Sequence, residues 1–153
     1  MSVLDDRLAE LGLTIPEVAA PVAAYVPAVV SGHLVYTSGQ LPFVAGALTE
    51  TGKVGAGVAP ERATELAAIC VLNGLAAVRS VIGSLDRVTR IVKVVGFVAS
   101  DPAFTGQPGV INGASELLGE IFGDAGRHAR SAVGVAVLPL DSPVEVEFII
   151  EFA

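Results

Sequence analysis

Residues Pro60 to Ile82 constrain this chain more than any other stretch. Pro60 stands at a favoured first helical position, Glu61 and Glu65 suit the positive end of a helix, and Gly83 follows the last turn. Leu66, Ile69, Leu72 (or Asn73), Ala76 and Val81 form an apolar stripe at helical period, and Ala and Leu continue nearly all the way round. A helix so apolar has to be covered on most sides. The neighbouring run Arg90 to Ala99 offers the cover: β-branched and almost continuously apolar, it reads as a strand buried on both faces.

The remaining elements fall around this pair. Ala28 to Val30 and His33 to Ser38 read as two short strands about Gly32, and the stretch from Gly39 to Gly57 as a loop with at most a strand fragment at Lys53-Val54. Val110 to Phe122 is a second helix stopped by Gly123. Ser131 to Leu138 and Val144 to Phe152 are two more strands, joined by Pro139-Leu140-Asp141-Ser142-Pro143, a connection of hairpin length. Residues 1–21 form an N-terminal extension with a short helix from Ser2 to Leu11, capped by Ser2; Pro16, Pro21 and Pro27 break the chain after it. The order is ββαβαββ behind that helix. It predicts one α+β domain over 1–153, a mixed sheet with two main helices on one face.

Composition narrows the function. Only 16% of the residues are charged, little for a monomer that must wet its whole surface, so part of that surface is expected to be hidden in a symmetric oligomer. The net charge is −7 and basic residues are scattered singly, which excludes the clustered cations a nucleic-acid binder needs. One cysteine, Cys70, permits no internal disulfide and reads as a small buried apolar residue in a reducing compartment. The start of the chain is acidic, unlike a signal peptide. No apolar run reaches the ~18 residues of a membrane span without a charge or a helix breaker. A soluble, cytoplasmic protein is expected. His33 and His128 lie apart, with no Cys or His at ligand spacing, so no metal is expected. No phosphate-binding glycine pattern appears either, so no nucleotide site is indicated.

The last two strands carry the candidate chemistry. Side chains alternate along a strand. One face of the first carries Ser131, Val133, Val135 and Val137, which suit a position against the helices. The other carries Arg130, Ala132, Gly134 and Ala136, an arginine followed by small residues, which is a seat for a small carboxylate. The final strand sets Val144, Val146, Phe148, Ile150 and Phe152 against Glu145, Glu147, Ile149 and Glu151. If the two strands pair as a hairpin, Arg130 and Glu145 stand over ~20 Å apart at ~3.4 Å per residue. A site using both would then draw them from different subunits.

Tyr25 with Gly32, Thr37-Ser38-Gly39-Gln40-Leu41-Pro42, Ala129-Arg130-Ser131, Leu138-Pro139 and Val144-Glu145-Val146-Glu147 resemble, in order and spacing, the RidA/YjgF family. Tyr25 stands fourteen residues before Gly39, and Arg130 fifteen before Glu145, as in the family pattern. The resemblance spans about residues 22 to 153 and implies a chorismate-mutase-like fold, a homotrimer and clefts between subunits. It implies hydrolysis of reactive enamines and imines, such as 2-aminoacrylate, to 2-keto acids and ammonia without metal or organic cofactor. Carried over, Arg130 binds the substrate carboxylate and Glu145 positions or deprotonates water. Ser38 and the Gly39 backbone contact substrate, Tyr25 closes the cleft, and Asn112 lines it. Ala132 stands where many members have Cys, and one extra residue lies between Asn112 and Arg130. Those departures, with the N-terminal helix, mark a longer branch.

Structural readings compete at each position. Arg130 could pair with Glu151 or the C-terminal carboxylate across the hairpin, and Glu145 could be an ordinary solvated strand residue. Tyr25 could be a packed aromatic, Ser38-Gly39 a plain turn, and His128 a surface loop residue. Asp86, Arg87 and Arg90 read as solvated charge. A trimer that binds a small carboxylate without turning it over is the alternative function.

Overall fold

A strand that alternates large apolar residues with glutamates satisfies both sets only where one sheet face is covered and the other is not. The last strand of this chain lies in such a sheet. The computed structural model describes residues 2–18, 20 and 24–153; Met1 and the expected break at Pro21 lie outside the described residues. The elements are α1 (Val3–Glu10), β1 (Ala28–Ser31), β2 (Leu34–Thr37), a small hairpin of β3 (Phe43–Val44) and β4 (Ala47–Leu48), α2 (Pro60–Ile82), β5 (Val88–Ala99), α3 (Gln107–Phe122), β6 (Ala129–Val135) and β7 (Val144–Phe152). Five strands form one mixed sheet in the order β1-β2-β7-β5-β6. All its pairs are antiparallel except β5 with β6.

The sheet order overturns the expected hairpin of the last two strands. β5 lies between β6 and β7, and β6 runs parallel to it, with Val94 beside Arg130 and Phe97 beside Val133. β6 ends at Val135, short of the expected Leu138, and the eight-residue connection from Ala136 to Pro143 crosses over a strand. It contains two non-glycine residues in the left-handed region, Leu140 (φ 59°) and Asp141 (φ 57°), a conformation costing roughly 1–2 kcal/mol per residue.

α2 and α3 cover one face of the sheet, with α2 against β7 and α3 against β5 and β6. Val144, Val146, Phe148 and Ile150 of β7 are buried beneath them, as are Ile91, Val94 and Val98 of β5. Each such side chain contributes about 1.5–3 kcal/mol of transfer free energy. Gly74 is where it is because of space: a Cβ there would meet the ring of Phe148. Gly113 likewise lets α3 approach α2, since a Cβ would meet the backbone carbonyl of Thr64. By length and composition α2 could cross a membrane, yet 56% of its most apolar stretch is buried inside the molecule, which marks it as a core helix.

The uncovered face corrects a second expectation. Val95 and Phe97 are only half-buried, so β5 is covered on one face, not both, within a single chain. Helix α1 packs at the far end of α3, its Leu8 buried and its Arg7 Nε donating to the Glu120 carbonyl. Ser2 caps it by accepting from Asp5 N–H. Asp86 and Arg87 also do more than meet solvent: Asp86 accepts from Leu4 N–H, and Arg87 donates to the carbonyls of Ile82 and Ala153 while lying 5.0 Å from the Phe152 ring centre. The loop after Gly39 holds the β3–β4 hairpin, turned by Ala45 and Gly46 at positive φ, with Val54 bridging to Val58 and Ser100.

Candidate functional site

The candidate residues form two groups at different places on the sheet. The first is built on the edge strand β6. Register with β5 puts Arg130, Ala132 and Gly134 level with Val94, Gly96 and Val98, the face beneath α3. A Cβ on Gly96 would meet Ile111 and one on Gly134 would meet the Gln107 amide, both on α3. This reverses the expected assignment: the small-residue face lies toward the helices, and Ser131, Val133 and Val135 face the uncovered side. Sequence alternation defines two faces of an edge strand without saying which one a helix takes.

Half-buried, Arg130 lies along one stripe of α3 at i, i+4 and i+7. Its Nη1 donates to Asn112 Oδ1 at 2.7 Å and to Ser115 Oγ at 3.2 Å, and its Nη2 to the Pro108 carbonyl at 3.4 Å. Nη1 thus serves two acceptors. Nε donates to no described residue, and Nη2 has one hydrogen beyond the long contact to Pro108, so the guanidinium keeps donors for a carboxylate. Among the described residues no carboxylate lies within ion-pair distance of Arg130. The expected alternative pairing with Glu151 is overturned, because β6 does not border β7 and Glu151 accepts instead from Thr89 Oγ1. His128, expected on a surface loop, is half-buried against α3, with its ring nitrogens on Ser115 Oγ at 2.9 Å and the Gly126 carbonyl at 2.6 Å.

The second group sits where the end of β2 meets the start of β7. Gln40 and Val146 exchange both backbone hydrogen bonds, and this extends the pairing past Thr37. Glu145, on the uncovered face, brings its carboxylate against the Cα of Gly39, where any side chain would collide with it. Burial first and the neighbouring Glu147 second push the Glu145 carboxyl up from the ordinary glutamate value. Glu145 is half-buried, so it is not the plain solvated residue of the competing reading. A cavity of about 310 Å³ opens here, lined mostly by apolar groups, among them Tyr25, Leu41, Phe43 and Leu140, with Glu145 and Gly39 in its wall. Tyr25 is 47% exposed at its rim, not a packed core aromatic. Ser38 holds that rim in place, its Oγ donating to the Val26 carbonyl at 2.6 Å.

Tyr25, Gly39 and Glu145 therefore meet in one cavity with Ser38 behind them, and Arg130, Asn112 and Ala132 meet at the β6 edge. Within one chain the two groups lie on opposite faces of the sheet. Sequence reasoning missed Asn73, whose Nδ2 donates to the carbonyls of both Leu41 and Phe43 and so fixes the cavity wall to α2. An amide within an apolar helical stripe was the available signal. Ser115 was missed too; its spacing from Pro108 and Asn112 could have shown it. Among the described residues no group of three or more His, Cys, Asp or Glu is placed to hold a metal.

Comparison with known proteins bears on the family and the fold. A family model described as "YjgF/chorismate mutase-like, putative endoribonuclease" matches residues 5–152. Protein TCP17 of Trypanosoma cruzi is 44% identical over 148 residues, 95% of this chain and 91% of that protein. The crystal structure of Atu1372 from Agrobacterium tumefaciens, a protein of unknown function, superimposes with a TM-score of 0.91 at 45% identity, over 99% of this chain and 94% of the other. A Shewanella oneidensis MR-1 structure described as a "putative endoribonuclease" gives a TM-score of 0.95 at 34% identity, over 99% of this chain and 100% of the other. RidA from the Antarctic bacterium Psychrobacter sp. PAMC 21119 shares the fold more loosely, at 0.61 and 28%, over 89% and 94%. With its mixed sheet, its two covering helices and a match along nearly its whole length, the chain belongs to the YjgF/RidA family.

Proposed function

We propose that the protein hydrolyses reactive 2-enamines and 2-imines to 2-keto acids and ammonia, at sites completed between the subunits of a homotrimer. One observation carries the reading. Arg130 is held by neutral acceptors only, with no carboxylate partner among the described residues, so its charge is available to an anion. A half-buried arginine left unpaired in this way is suited to binding a small carboxylate.

The chemistry asks little of the protein. An enamine protonates at carbon to the imine, whose C=N carbon is electrophilic. Arg130 orients the substrate through its carboxylate, the kind of rate gain that positioning supplies. Glu145 takes a proton from water as the oxygen adds to the carbon of the protonated imine and returns it to the carbinolamine nitrogen; as the C–N bond breaks and ammonia leaves, the freed carboxylate takes the hydroxyl proton and the C=O bond forms. Its raised carboxyl pKa brings it nearer to the operating pH than an ordinary glutamate. The Gly39 backbone borders the reacting group, and Tyr25 narrows the entrance. Asn112 and Ser38 act one step back, on Arg130 and on the Tyr25 segment. The apolar uncovered face supports the trimer: Val29, Tyr36 and Val133 are each more than 40% exposed there. A ribonuclease reading gains nothing from a chain of net charge −7 without a basic cluster.

The test is complementation. Arg130→Ala and Glu145→Gln subunits, each inactive alone, are unfolded together and refolded as a mixture. Random mixing gives about one quarter of junctions an intact Arg130 from one subunit and an intact Glu145 from the next. Recovery of about that share of wild-type ammonia release is expected. No recovery from mixed trimers would refute the shared site, and ligand binding without turnover in the wild type would leave a non-catalytic carboxylate binder.

A further inference from the structure

We propose that Ser115 and His128 are positioning residues that hold the Arg130 guanidinium in the pose that receives a carboxylate; the inference rests on the reading of Arg130 given above. The direction of the hydrogen bonds follows from the acceptors. The Gly126 carbonyl can only accept, so the His128 Nδ1 carries the proton at that end. In the neutral ring Nε2 is then an acceptor and takes the Ser115 hydroxyl hydrogen. With its hydrogen directed to His128, the Ser115 oxygen turns a lone pair toward Arg130 Nη1. The series runs from Arg130 to Ser115, to His128, to the Gly126 carbonyl, and each bond polarises the next.

Its far end is fixed. Gly126 is buried against α3, so closely that a Cβ would meet the Leu118 carbonyl. The series therefore begins and ends on α3, which supplies Ser115 directly and anchors Gly126 through Leu118. Asn112 and Ser115 both accept from Nη1 while Pro108 accepts from Nη2, and this holds the plane of the guanidinium with Nε left unengaged among the described residues. Without the acceptor on His128, the Ser115 hydroxyl turns to a carbonyl of its own helix, as serine commonly does. Arg130 is then held by Asn112 and the long contact to Pro108 alone.

The experiment measures pyruvate binding by titration calorimetry and imine hydrolysis by ammonia release on the intact protein. His128→Ala and Ser115→Ala are expected to raise both the pyruvate Kd and the imine KM roughly tenfold, the loss of one hydrogen bond to a charged group. Their kcat should stay close to wild type and their melting temperatures unchanged. His128→Gln, whose side-chain carbonyl can accept from Ser115, should recover most of the affinity. Wild-type Kd and KM in Ser115→Ala and His128→Ala, with pyruvate binding lost in Arg130→Ala, would overturn the positioning role while the proposed function stands. A loss confined to kcat would also overturn it. If the wild type bound no pyruvate and released no ammonia, the reading of Arg130 itself would fall.

Discussion

The Arg130 group and the Glu145 group solve opposite problems. Arg130 is a cation braced on three sides by neutral oxygens, each fixed on α3, so its geometry is set while its charge stays uncompensated. Glu145 has no side-chain hydrogen bond among the described residues; it lies half-buried in a mostly apolar cavity beside a second glutamate, and its basicity rises for that reason. A binding group gains from rigidity, because a carboxylate must find two N–H donors at once. A base gains from an environment that disfavours its charge. The two candidate groups thus differ as a rigid half on the edge strand β6 and a desolvated half where β2 meets the central strand β7.

The largest effect expected on this contrast is that of Arg130→Ala. Loss of a two-point charged contact costs on the order of 10²–10⁴-fold in kcat/KM, while size-exclusion chromatography shows the assembly unchanged. Surviving activity in the purified variant would remove the rigid half from the mechanism.

Glu145→Gln should reduce kcat by about 10²–10⁴-fold, the usual worth of a general base, with little change in KM. Its stability should change in the opposite sense. The Glu145 carboxyl is raised in the folded state, so between the ordinary glutamate value and the raised one the folded protein binds more protons than the unfolded chain, and stability falls as pH rises through that window. Above it the wild type carries the full penalty of an ionised Glu145. Glu145→Gln should then be the more stable protein at neutral pH, with a flatter dependence on mildly acidic pH in urea melts; a steeper one would contradict the desolvated half.

Gly39→Ala tests whether space alone places the carboxylate. A Cβ there displaces the end of a flexible glutamate side chain rather than backbone. A loss of roughly tenfold in kcat with a change below about 1 kcal/mol in stability is expected, and unchanged kcat would show that the contact with Gly39 is immaterial. The smallest effect belongs to Asn73→Leu, which leaves the Leu41 and Phe43 carbonyls without their shared donor. It should cost about 1–3 kcal/mol of stability and raise KM a fewfold by loosening the cavity wall, without altering pyruvate contact at Arg130.

Much of the fold is legible in local pattern alone. The bounds of α2, the alternation of β7 and the burial of Cys70 follow from periodicity and composition. The candidate site is legible as motif spacing: Tyr25 to Gly39 and Arg130 to Glu145 select residues that do gather into two groups. Three expectations fail for one reason. Pairing β6 with β7, turning the Val133 face toward the helices and burying β5 on both sides all depend on which strand sits beside which. A short connector fits a hairpin and a crossover equally well, and local pattern cannot tell them apart.

The sequence by itself determined which segments are helix and strand, which faces are apolar, and which few polar residues stand at spacings that chemistry would use. These are short-range properties, fixed by the periods of helix and strand. Only the tertiary structure decided that β5 separates β6 from β7, that Arg130 lies beneath α3, and that His128 reaches it through Ser115. Such facts depend on contacts between residues distant in the chain, and a contact of that kind is settled by how whole elements pack, not by any pattern within one of them.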